Sequence, residues 1–81
     1  MLNLEIKTRL PHEKAVERIK HFFGKEGLGL DIVEETPQCF SFQGGGGYVT
    51  ATVCPEEGKT RITLQTQEWD EQVKKFSSTL P

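Results

Sequence analysis

Four consecutive glycines, Gly44 to Gly47, stand between two stretches in which every second residue is apolar: Phe40 and Phe42 before them, Val49, Ala51 and Val53 after. A period of two is that of a strand with one buried face, and glycine supplies the positive φ that tight hairpin turns need. The pattern predicts an antiparallel hairpin with those five side chains turned inward. A phosphate-binding loop would run from a strand into a helix and carry a Lys with Ser or Thr directly after its glycines, whereas Tyr48 and Val49 follow here. Two registers are open. If Gly46-Gly47 is the loop, Phe42 faces Ala51, Phe40 faces Val53 and Cys39 lies opposite Cys54; a four-residue loop sets Phe40 against Ala51, Phe42 against Val49 and Cys39 against Thr52.

The same reading extends along the chain. Leu2, Leu4, Ile6, Thr8 and Leu10 alternate with Asn3, Glu5, Lys7 and Arg9, which predicts a first strand. Pro11, which has no N–H to lose in a first helical turn, opens a helix. Ala15, Val16, Ile19, Phe22 and Phe23 make its apolar stripe, and Gly24 and Gly27 are expected to end it in the left-handed conformation. Leu30 and Ile32 begin the next strand, and Thr36-Pro37 turns it back. Pro55 to Gly58 is a turn by composition, and Ile62 and Leu64 face inward on the last strand. Asp70 is the expected N-cap of a closing helix carrying Val73 and Phe76. The chain therefore predicts a single α+β domain over residues 1–81: a two-layer sandwich of order β-α-β-β-β(-β)-α, with an antiparallel sheet of four to five strands and two helices on one face.

Size and charge then bound the chemistry. The 81 residues include 21 Leu, Ile, Val and Phe, enough for one core. A domain of this size buries only about 60% of the surface of its unfolded chain, so a large internal pocket competes with the core. No apolar run nears the roughly 18 residues of a membrane span, and the first nine residues do not build a signal-peptide core, so a cytoplasmic location and no membrane partner are expected. A net charge of -2 disfavours nucleic acid as a partner. Residues 1–25 hold six basic and three acidic groups, while residues 26–58 hold six acidic and no basic ones. That asymmetry would suit self-association between copies.

No catalytic set emerges. His12 and His21 lie nine positions apart, on opposite sides of a helix at about 100° per residue. Glu34-Glu35 and Glu56-Glu57 are adjacent pairs that point apart in an extended chain, and the two cysteines lack a CxxC spacing. Neither enzymatic activity, nor a metal, nor a cofactor is expected.

Val33 to Pro37, Phe40 to Phe42, Tyr48 to Val53 and Gly58 to Leu64 together resemble the central and late strands of the START-like family, the polyketide cyclase or SRPBCC helix-grip domains. That resemblance implies a curved sheet gripping a C-terminal helix over a space for an apolar small molecule, and it carries over no catalytic residue. Two functions are expected from these observations. One is a non-enzymatic ligand module whose groove between the last helix and the sheet is lined by Phe22, Phe40, Phe42, Trp69 and Phe76. The other is a protein-interaction or homodimerising module that uses the outer sheet face, with Tyr48, Thr50, Thr52, Thr63 and Gln65, or a strand edge.

Overall fold

A computed structural model of the chain describes residues 2–80. Its elements are β1 (Leu2–Thr8), α1 (His12–Phe23), β2 (Asp31–Glu35), β3 (Cys39–Gly44), β4 (Gly47–Glu56), β5 (Lys59–Gln67) and α2 (Asp70–Ser78). All neighbouring strands are antiparallel, and the sheet runs β1-β5-β4-β3-β2. Strands β2 to β5 form a meander, and β1 closes it by pairing with the last strand. The two helices cover one face, α1 across β4 and α2 across β5. This is the expected α+β sandwich, with five strands.

Alternation explains the core. Phe40, Phe42, Val49, Ala51, Val53, Ile62 and Leu64 are all buried on the helix side of the sheet. Ala15, Ile19 and Phe23 from α1 and Val73 and Phe76 from α2 fill the space above them. Val16 and Phe22 complete the helical stripe but remain half-buried.

The tetraglycine chooses the second register. Cys39 pairs with Thr52, Phe40 with Ala51 and Phe42 with Val49. The loop that closes it is nevertheless two residues long, because Gly44 and Gly47 themselves pair. Gly45 and Gly46 have φ of 59° and 83°, and a type I′ turn needs positive φ at both central positions. Cys39 and Cys54 are therefore not opposite one another: Cys54 pairs with Arg61, and both thiols are free.

Several boundaries differ from expectation for local reasons. Pro11 is the N-cap rather than a helical residue, and its carbonyl accepts the Ala15 N–H at 2.9 Å. Gly24 and Gly27 do not adopt positive φ; a Cβ at either would collide with the carbonyls of Lys20 or Phe22, so close backbone approach is what requires glycine. Leu30 precedes β2 and is buried, its N–H bonded to the Phe23 carbonyl at 3.0 Å. Pro55 and Glu56 belong to β4, which leaves Glu57-Gly58 as the turn. Trp69, not Asp70, is the N-cap of α2.

Candidate functional site

The aromatic residues expected to line a groove are spread through the interior instead. Phe40, Phe42 and Phe76 are 2%, 0% and 1% exposed. Ring centroids of Phe22–Phe23, Phe22–Phe76, Phe23–Phe76 and Phe23–Phe42 lie 5.0, 5.2, 5.3 and 5.8 Å apart, the spacing of rings in mutual contact. Four rings from three elements thus occupy the volume between α2 and the sheet. Trp69 lies away from them, at the glycine turn. Its indole N–H donates to the Gly44 carbonyl at 2.9 Å, and its ring packs so closely on Gly45 that a Cβ there would sit 2.8 Å from Cζ2. This ties the start of α2 to the β3–β4 hairpin.

Phe40 marks the other end. The Lys20 ammonium stands 5.3 Å from its ring centroid and 2.6 Å from Glu35 Oε2. Beside it lies a shallow groove of about 530 Å³ between α1 and the β2–β3 turn, bordered by His12, Val16, Thr36 and Pro37. The Thr36 hydroxyl accepts the Cys39 N–H at 2.8 Å and so fixes that turn. His21 is remote from His12 and pairs with Glu26 at 2.9 Å on the surface. Among the described residues, no three His, Cys, Asp or Glu side chains come together as metal ligands would. No helix of the described residues is long and apolar enough to cross a membrane.

The second group of candidates is brought together. Thr50 pairs with Gln65 and Thr52 with Thr63, while Tyr48 pairs with Gln67, so all five expected residues share adjacent strands on the face opposite the helices. They form a polar patch across the middle of that face.

The margins of the sheet, where a strand edge is expected as an alternative interaction site with no residues assigned to it, differ sharply from each other. Every residue of β2 is exposed, and Ile32 and Val33 are 43% and 55% exposed. A bulge interrupts its pairing between Ile32 and Glu34: Ile32 faces Phe42 and Glu34 faces Ser41. The extra residue turns Glu35 to the helix side, where it meets Lys20, and leaves Glu34 outside, where Cys39 Sγ is 3.7 Å from its carboxylate. β1 has no such interruption. Its seven residues pair in unbroken register with β5, from Leu2–Thr66 to Thr8–Thr60. Leu2, Leu4 and Ile6 face the helix layer but stay half-buried, since β1 lies outboard of the strand that α2 crosses. On the outer face Glu5 Oε1 is 3.9 Å from Arg61 Nε, and Lys7 sits directly opposite Arg61. The sequence signal for this margin was the Glu5-Ile6-Lys7 triplet, opposite charges two apart on a strand that carries aliphatics on its other face.

Comparison with known proteins finds no family model that matches the chain and no curated protein similar to it in sequence.

Proposed function

We propose that this chain is a non-catalytic interaction module that associates by receiving a strand from another chain along β1. The observation that carries this reading is the condition of that edge: seven residues in unbroken register with β5, no further strand beyond them among the described residues, and aliphatics half-covered on the helix face. Sheet proteins ordinarily blunt an exposed edge with a bulge, proline, charged side chains, inward charge or a covering element. β2 carries a bulge and turns Glu35 toward the helix side; β1 has neither bulge nor proline, and its two charges, Glu5 and Lys7, are of opposite sign and lie on the outer face. An added strand would satisfy the edge backbone and finish burying Leu2, Leu4 and Ile6.

The apolar-ligand reading has less support, because the phenylalanines that would line its space bury one another. In the present reading the chain resembles START-like domains in its meander and closing helix, with aromatic rings where such domains hold a ligand.

The test is selection of peptides from a random library on the immobilised protein, with the bound peptides mapped by amide chemical shifts. Extended peptides with alternating apolar residues that perturb β1 amides are expected. Peptides mapping elsewhere, or fatty acids and aromatic compounds shifting Phe22, Phe42 and Phe76 instead, would overturn the proposal.

A further inference from the structure

The charges along β1 name a partner. A two-fold axis perpendicular to an antiparallel pair places one residue opposite its own copy, which leaves few registers to consider. Centring on Glu5 sets Glu5 against itself, and centring on Lys7 sets Lys7 against itself and leaves Glu5 opposite Arg9, which lies beyond the end of β1. Centring on Leu4 sets Glu5 against Asn3 and pairs no opposite charges. Centring on Ile6 sets Glu5 against Lys7 of the second copy twice, Ile6 against itself, and Leu4 against Thr8, with every side chain kept on its own face.

The structure also shows why Lys7 would accept an acid from outside. Within its own sheet it stands opposite Arg61 and diagonal to Lys59, so its cross-strand neighbours on β5 include no carboxylate. β2 of another copy, though acidic, is a poorer match, because its bulge at Val33 breaks the five-residue strand before a regular ladder can form. We infer that the strand received by β1 is β1 of a second copy, joined about a two-fold axis at Ile6 to make one ten-stranded sheet. Leu4 and Ile6 of the two copies then lie side by side beneath the helix layers.

This inference rests on the strand-addition reading, and the experiment separates them. Sedimentation velocity from tens to hundreds of micromolar is expected to show a monomer–dimer equilibrium ending at twice 9.2 kDa. Glu5→Lys and Lys7→Glu each turn two attractive pairs into repulsive ones and should weaken the dimer roughly tenfold or more, whereas the double variant restores the pairs in exchanged order and should return to within about threefold of the original affinity. Lys7→Glu removes a like charge from Arg61, so it does not weaken the monomer and its loss of dimer cannot be ascribed to unfolding. A monomer at all concentrations overturns the second copy and leaves the peptide map to judge the broader reading. A dimer indifferent to both single variants, or assemblies growing beyond two copies, overturns this register.

Discussion

At one margin of the sheet β2 runs five residues, all exposed, with a bulge at Val33 and carboxylates at Asp31, Glu34 and Glu35. At the other β1 runs seven residues with no break in register and with Glu5 and Lys7 as its only charges. The two occupy equivalent places in one sheet, so the contrast is not a matter of sheet geometry alone. A bulge misaligns an incoming strand and three acids repel an acidic one, whereas β1 offers an unbroken ladder whose two charges, being opposite in sign, can pair with those of a complementary strand. In the strand-addition proposal, the half-buried aliphatics beside this edge are the surface that association would cover.

The largest effect that sharpens this contrast comes from Leu4 and its register partner Leu64. Leu64→Ala empties a buried site and should cost about 2–5 kcal/mol, whereas Leu4→Ala at the half-buried edge should cost about 1–2 kcal/mol in the monomer. If β1 is covered by association, the cost at Leu4 should grow with protein concentration and that at Leu64 should not, as urea unfolding at two concentrations would read. Equal and concentration-independent costs would break the comparison.

Next in size is removal of the protection on β2. Deleting Val33 together with Asp31→Asn, Glu34→Gln and Glu35→Gln gives a second regular edge, this one without charges. Light scattering should then report open-ended assemblies in place of a discrete species. A particle size unchanged from the parent would show that the bulge and the acids are not protective.

A smaller effect attaches to the Lys20–Glu35 pair that anchors β2 to α1. Its side chains are 36% and 49% exposed, so Glu35→Gln should cost no more than about 0.5–1 kcal/mol and the difference should fade in high salt. Smaller or comparable, and of opposite sign, is Glu68→Gly. Glu68 holds φ of 75° between β5 and α2, and glycine there should raise stability by about 0.5 kcal/mol without altering association at either edge.

Much of the fold was legible in the residues. The alternation of Phe40, Phe42, Val49, Ala51, Val53, Ile62 and Leu64 named the buried face, because a half-buried strand repeats every second residue whatever its neighbours are. The hairpin at the glycines was legible too, but its register was not, since slipping it by two residues keeps each side chain on its face. The bulge at Val33 was hidden because nothing in Asp31 to Glu35 marks an added residue until Glu35 is seen meeting Lys20. Gly24 and Gly27 misled, since glycine serves close packing and positive φ alike.

The candidate site was harder still. Tyr48, Thr50, Thr52, Thr63 and Gln65 were gathered by alternation alone. The edge position of β1 depends on Leu2 meeting Thr66, far along the chain, a pairing that local pattern does not encode. Phe22, Phe42 and Phe76 were correctly read as inward, yet inward residues can border a space or fill it, and only the ring distances distinguish the two.

The most direct measurement is amide hydrogen exchange of the intact chain at two concentrations, residue by residue along both margins. The account predicts that the amides of β1 between Leu4 and Thr8 that point away from β5 slow markedly at the higher concentration, while those of β2 from Asp31 to Glu35 exchange at the same rate in both samples. Concentration-dependent protection on β2, or none on either strand, would contradict it.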